Sequence, residues 1–341
     1  MTTHKPSSME RSATAEAASN IAFVKYWGAQ DLERAIPVNP SISMTLDVCR
    51  SICSVTFRPG PPDDEVWLAD DDGTNLRPAP PSFASRVLAH TERLRRRFGA
   101  HGGFRVATRN TFPAAAGLAS SASGFAALSI ATTRALGLDL AGRELSDLAR
   151  ESGSGSASRS VYGGYVEWPG AEGDTAARQI AAPEHWALCD VIAVVETSAK
   201  EVSSLDGHRR AASSPYYTRR QELLPDRLAR VRRAIERRDL ALLGDTLEEE
   251  AIDLHLIAMS SRPAIFYWQP ATLTVLQAVR RLRVDGVPAY STMDAGANVH
   301  VLCEPAAEPA VAERLAAVPG VERVIRDRVG SGPVWRDGAE L

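Results

Sequence analysis

FPAAAGLASSASGFAA, residues Phe112 to Ala127, crowds small residues into a turn just where an apolar helix begins. Gly117 lets the backbone approach an anion, and Leu118 and Ala119 carry the turn into the helix. Ser120, Ser121 and Ser123 supply hydroxyls, while the free amides and positive dipole end of the first helical turn face the same point. The stretch therefore reads as an anion cradle. It has neither the lysine and spacing of GxxxxGK[ST] nor the three glycines of GxGxxG, so the common nucleotide loops do not fit. The same residues would also serve as an N-cap that lets a helix pack closely, and this segment alone does not decide between the two readings.

The surroundings suit a ligand. Phe104 to Arg109 alternates like a strand and leads into the loop, whose helix is expected to run to about Leu136. Upstream, Ser82 to Phe98 has helical periodicity, with Cys53–Phe57 and Asp64–Leu68 as strands and Ile36 to Asp47 as a loop entering a strand. The run NIAFVKY, Asn20 to Tyr26, is apolar except for Lys25, which either snorkels from a strand edge or meets a carboxylate or phosphate. Residues 1 to about 15 are polar, and order is expected to begin near Ala18. Downstream, SGSGSASRSVYGG, Ser152 to Gly164, sets Arg159 a few residues after Ser154 and Ser156, a composition suited to a second anion pocket.

The charged, alanine-rich segment 172–186 is the expected boundary between two domains. Beyond it, a strand (Ala187–Val195), helices (Pro215–Arg238, Leu240–Met259, Gln269–Leu282), two strands (Ala289–Thr292, Val299–Cys303), a helix (Ala310–Ala317) and a final strand (Val321–Val329) suggest an α+β unit with helices over one sheet face. Between the paired strands, STMDAGANVH, Ser291 to His300, holds Asp294 in a tight turn. An isolated aspartate there would usually bond its own backbone.

Composition excludes several classes. The 341 residues, 44% hydrophobic and 24% charged with net charge −3, describe a soluble globular chain without a basic field for nucleic acid. The runs Arg93–Arg97 and Arg227–Arg233 are expected to be solvated helix faces. No apolar run reaches membrane-spanning length, and the polar start lacks a signal core, so a cytoplasmic location is expected. The four cysteines show no CxxC pair. Cys49 and Cys53 are expected on one strand face as small buried hydrophobes.

Taken together and in order, NIAFVKYWG, IPVNPSIS, FPAAAGLASSASGFAAL, SGSGSASRSVYGGYVEW, STMDAGANV and the late VGSGP resemble the ATP-dependent mevalonate diphosphate decarboxylases of the GHMP kinase superfamily, from about Asn20 to Pro333. The resemblance implies an α+β, two-lobed GHMP kinase fold. An N-terminal lobe like ribosomal protein S5 domain 2 (18–185, after a disordered 1–17) would bind ATP, and a ferredoxin-like lobe (186–341) would carry the catalytic aspartate. It places ATP phosphates and Mg²⁺ at Gly117, Leu118, Ala119, Ser120, Ser121 and Ser123, with Ser121 the favoured metal hydroxyl. It makes Asp294 the catalytic aspartate, Lys25 its partner and Arg159 the holder of the substrate carboxylate, with Asn20, Tyr26, Ser154, Ser156 and Ser204 on the substrate side. A homodimer is implied as well.

Two positions depart from the family pattern. Ala29 stands where KYWGK has its second lysine, and Leu205 where some bacterial members carry arginine. Losing two cations would weaken a diphosphate more than a monophosphate. The sequence thus favours mevalonate 5-phosphate as substrate, giving isopentenyl phosphate, unless His208, Arg209 or Arg210 replaces the charge; the alternative is mevalonate 5-diphosphate. A 3-kinase that does not decarboxylate is disfavoured because Asp294, Lys25 and Arg159 are all present.

Overall fold

The computed structural model describes residues 9–70, 72–112, 120–170, 173–197 and 201–341. The chain enters as β1 (Arg11–Val24), makes the small hairpin β2 (Ala29–Asp31) and β3 (Ile36–Pro37), and returns as β4 (Ser41–Pro59). Then come β5 (Glu65–Ala69), β6 (Leu76–Pro78), α1 (Pro81–Phe98), β7 (Gly102–Asn110), α2 (Ser120–Ala135), α3 (Gly142–Arg150), β8 (Tyr165–Trp168) and β9 (Arg178–Ala181). Helix α2 lies across β1 and β4. Alanines on both surfaces, among them Ala15 and Ala17 on the sheet and Ala126, Ala127 and Ala131 on the helix, permit a close approach and leave α2 buried on nearly every side.

The second lobe opens with β10 (Cys189–Val194). It continues through α4 (Ser204–Arg210), α5 (Tyr217–Arg237), α6 (Leu240–Ser260), α7 (Pro270–Val284), β11 (Ala289–Thr292), β12 (Val299–Cys303), α8 (Glu308–Ala316) and β13 (Arg323–Arg328), and β14 (Val334–Asp337) ends the chain. Its sheet is antiparallel in the order β11-β12-β10-β13, the ferredoxin-like arrangement. Alternation along β10 sends Val191 and Ala193 toward α7 and α8, and Ile192 and Val194 the other way.

That other face is not open. Ile192, Val194, Leu302 and Ile325 join Ile21, Phe23, Ile42 and Met44 of the first lobe, with Leu224 and Leu228 of α5, in one apolar cluster. The expectation of helices over a single face is therefore corrected: both faces are covered, one of them largely by the first lobe. The two lobes share a core.

Other differences are local. Residues before Ala18 are already in strand β1, which starts at Arg11, because Ala13, Ala15 and Ala17 alternate inward as a strand of small residues and Thr14 bonds Ser54 at 2.7 Å. The segment 41–59 is one long strand rather than a loop and a separate strand. Cys49 and Cys53 are buried and free but belong to different cores, because the β1–β4 register shifts between Ala18 and Asn20. Strand β14 returns to pair with β1, tying the chain's end to the first sheet. The run Arg227–Arg233 is not a wholly solvated face: Arg227 is buried, and its Nη1 lies 2.7 Å from Glu250.

Candidate active site

Lys25 directly follows β1, and its backbone is fixed before its side chain does anything. Its amide donates to Glu250 Oε1 at 3.0 Å, and its carbonyl accepts from Asn39 Nδ2 at 3.0 Å and from Arg220 Nη2 at 2.8 Å. Glu250 is in turn bonded by Arg220 and Arg227, so three buried charges from α5 and α6 clamp the end of β1. A buried carboxylate needs such partners.

From that anchor the Lys25 ammonium donates to Ala22 O and to Asp294 Oδ1, both at 2.7 Å. Asp294 comes from the turn joining β11 to β12, where the Gly296 amide bonds the Asp294 carbonyl at 2.7 Å. Burial works to raise the pKa of this carboxyl. The charge and hydrogen bond of Lys25, with His300 and Arg159 behind them, outweigh burial and hold it below the ordinary carboxylate value. The aspartate is thus kept ionised.

Arg159 follows a short 3₁₀ turn, Gly155–Ser158. It is buried, with Nε and Nη2 donating to Asn20 Oδ1 at 3.2 and 2.9 Å and Nη1 to Ser41 Oγ at 2.6 Å. Asn20 can accept because its own amide nitrogen donates to Ser156 O and Ser160 Oγ. Burial pulls the Arg159 pKa down to about 10, so it stays cationic near neutrality, yet it forms no ion pair among the described residues. A desolvated cation oriented by neutral groups is prepared for an external anion.

These groups line a cavity of about 890 Å³ that also takes in Tyr26, Ser154, Ser156 and Ser204. Ser154 and Ser156 sit with hydroxyls 3.3 Å apart, and Ser204 opens α4 across the cleft. Tyr26 packs edge-on against Trp168, and burial raises its phenol pKa, so it is a neutral donor. A second cavity of about 660 Å³ is walled by apolar residues such as Leu68, Phe83, Val106 and Phe125 and rimmed by Asn110, Thr111 and Arg323. Ser120 and Ser121 reach both cavities. Ser123 does not: it is wholly buried and bonded to Ser51 and Ser19 at 2.7 and 3.2 Å, holding α2 on the sheet. Gly117, Leu118 and Ala119 lie outside the described residues.

His208 belongs at the cleft too, though no motif marked it as more than a possible substitute charge. Its ring lies 4.2 Å from Tyr26 and 4.8 Å from Trp27, centroid to centroid, and its Nδ1 accepts the Gly28 amide at 3.0 Å. Accepting at Nδ1 places the proton on Nε2. Burial, reinforced by Arg220, lowers its pKa to about 4, leaving a neutral N–H donor. Arg209 is committed to Asp206 at 2.9 Å. His255 packs between the rings of Tyr267 and Trp268.

A first lobe whose serine-rich helix start borders two cavities, joined to a ferredoxin-like second lobe, is the GHMP kinase fold. Residues 17–179 match the diphosphomevalonate decarboxylase-like N-terminal domain, and residues 190–331 the mevalonate 5-diphosphate decarboxylase C-terminal domain. The chain is 31% identical to a diphosphomevalonate decarboxylase of Candida albicans, over 94% of this chain and 97% of that one. It is 32% identical to the one of Homo sapiens, over 89% and 79%. Mevalonate diphosphate decarboxylase from Staphylococcus aureus superposes with a TM-score of 0.88 at 32% identity, covering 96% and 98% of the two chains. That from Enterococcus faecalis gives 0.87 at 33%, covering 96% and 100%. A further solved neighbour, at 0.87 and 34% over 96% and 100%, is MDDEF in complex with MVAPP, AMPPCP and magnesium. This chain belongs to the diphosphomevalonate decarboxylase family.

Proposed function

We propose that the protein phosphorylates the 3-hydroxyl of mevalonate 5-diphosphate with ATP and decarboxylates the product, giving isopentenyl diphosphate, ADP, phosphate and CO₂. The Lys25–Asp294 pair, 2.7 Å apart beside an Arg159 with no ion-pair partner among the described residues, carries the reading. A tertiary hydroxyl is a poor leaving group until phosphorylated. Asp294, kept ionised by Lys25, orients the 3-hydroxyl and takes its proton as its oxygen attacks phosphorus. Arg159 holds the substrate carboxylate so that the C–C bond aligns with the departing phosphate as positive charge develops at C3. Asn20 and Ser156 keep Arg159 in place, and Tyr26, Ser154 and Ser204 line the substrate side.

The smaller cavity, apolar at its walls, suits the base of ATP, with the phosphates directed to the start of α2. No group of three or more His, Cys, Asp or Glu side chains among the described residues offers a metal cage, so oxygen from Ser121, from phosphates and from water is the donor set that fits Mg²⁺. Held there, the ion would offset charge on the phosphate oxygens.

The sequence alone favours the monophosphate; the named relatives, all diphosphomevalonate decarboxylases, support the diphosphate. His208, one helical turn from Leu205 on the same cleft wall, offers a phosphate a neutral hydrogen-bond donor but does not replace the missing charge. Mevalonate 5-phosphate remains the second reading because Ala29 and Leu205 still carry no charge. The comparison that decides is kcat/KM for the two substrates under identical ATP and Mg²⁺. A higher value for the diphosphate is expected, and a higher value for the monophosphate would replace this reading with the second. A cytoplasmic homodimer completes the proposal, supported by four free cysteines for the compartment and by the family pattern for the assembly. Sedimentation at working concentration tests the dimer.

A further inference from the structure

Asp190 on β10 and His300 on β12 form a buried pair that the chemistry above does not use, with His300 Nδ1 2.6 Å from Asp190 Oδ2. The register partner of His300 on β10 is Ile192, and that of Asp190 on β12 is Leu302, so the two side chains meet diagonally across the strands. They lie on the face that packs against the first lobe, where Ile192 and Leu302 belong to the shared apolar core. An ion pair in such a place adds little stability over apolar side chains of similar size, so its presence asks for another reason.

The sheet order supplies one. The second register partner of His300 is Thr292, the last residue of β11, and Asp294 stands two residues beyond Thr292. Strand β12 lies between β11 and β10. The pair therefore has its histidine end toward the strand that carries Asp294 and its carboxylate end one strand farther away. After Lys25, His300 is among the groups that hold the Asp294 carboxyl below its ordinary value. The other charged and titratable groups around the pair are committed. Asp327 of β13 accepts the amides of Asp47, Val48 and Cys49, and burial keeps Cys49 a thiol. Glu250 of α6 is held by Arg220 and Arg227, Lys25 by Asp294, and Arg159 by Asn20 and Ser41.

We propose that His300, held as a cation by Asp190, is a positioning residue that stands behind the Asp294 turn and adds a second positive charge to that of Lys25. This rests on the function proposed above. Asp190 supplies the counter-charge that lets an imidazolium exist in an apolar core. Neither residue touches the substrate, and the 3-hydroxyl proton still goes to Asp294. The pair acts on the site through charge alone, by keeping Asp294 ionised to lower pH than Lys25 would by itself.

The test measures the pH dependence of kcat/KM for mevalonate 5-diphosphate in the wild-type full-length chain and in His300→Gln, whose amide still donates to Asp190 but carries no charge. The acid limb is expected to move up by about 0.5 to 1 in pH, less than in Lys25→Met. On the plateau, where Asp294 is ionised in both proteins, kcat/KM should stay within about threefold of wild type. Asp190→Asn should move the limb in the same direction, and the double variant no further than either single one, as befits groups acting as a unit. A limb left at the wild-type pH, with or without a lowered plateau, would show a packing role only and overturn the proposal. A second readout needs no turnover. The imidazole nitrogen resonances of His300, assigned by their absence from His300→Gln, should titrate at lower pH in Asp294→Asn than in wild type, because a neighbouring negative charge is gone. An unchanged titration would overturn the proposal while leaving the decarboxylase reading intact. Wild-type protein that releases no ADP with either mevalonate phosphate would remove that reading instead, and the histidine titration would still decide whether His300 and Asp294 are coupled.

Discussion

Asp294 and Lys25 form the smallest unit of the account. Burial alone would favour a protonated carboxyl, and Lys25 reverses that preference. Asp294→Asn, which keeps the shape but accepts no proton, is expected to reduce kcat by about 10²- to 10⁴-fold while ATP affinity is retained, as single-turnover rates and nucleotide titration would show. Lys25→Met changes the pH profile in a stated direction. With its pKa depressed in the folded protein, Asp294 stays ionised below the usual carboxylate range, and the stability of the pair is lost only as pH falls through that depressed value. Without Lys25, burial dominates, and the acid limb of kcat/KM should move to higher pH. An unmoved limb would mean that some other group sets it. At this scale much was legible: an isolated lysine in an apolar run, an aspartate in a glycine turn and an arginine among serines each stand out. Ser123 did not reveal its inward orientation, since one position along a helix decides between cleft and core. His208 gave no motif, because its place at the cleft depends on neighbours far away in sequence.

Helix α4 places Ser204 and His208 on the cleft, and its approach is set by Gly207. A Cβ there would come within 2.3 Å of the Trp27 ring and 2.9 Å of the Tyr267 hydroxyl. Gly207→Ala should therefore displace α4 from Trp27, raising the KM of the mevalonate substrate more than that of ATP, at a stability cost of about 1–3 kcal/mol. Equal KM values for variant and wild type would show that α4 does not shape the substrate side. Long elements with a strong period, such as α5 and α6, could be read from the sequence to within a few residues. Strand β1 could not be placed in full, because alternating alanines carry little hydrophobic signal. Strand β14 escaped notice because its four residues become a strand only where the edge of β1 is available.

The molecule as a whole is organised by the apolar cluster that joins β1 and β4 of one lobe to β10, β12 and α5 of the other. Two lobes built this way should unfold together, giving one calorimetric transition whose van't Hoff and calorimetric enthalpies agree. Two resolved transitions would mean that the lobes hold themselves separately. The order of motifs revealed the two-lobed plan, but not that the lobes share an interior, since the gathering of Phe23 and Met44 with Ile192 and Ile325 in one cluster has no local signature. The shared core holds Lys25 and Asp294, residues 269 positions apart, at 2.7 Å, and so makes the proposed chemistry possible. That chemistry is tested most directly by following ADP and CO₂ together in one reaction of the wild-type protein with ATP, Mg²⁺ and mevalonate 5-diphosphate. The account predicts their release in equal amounts, and ADP formed without CO₂ would contradict it.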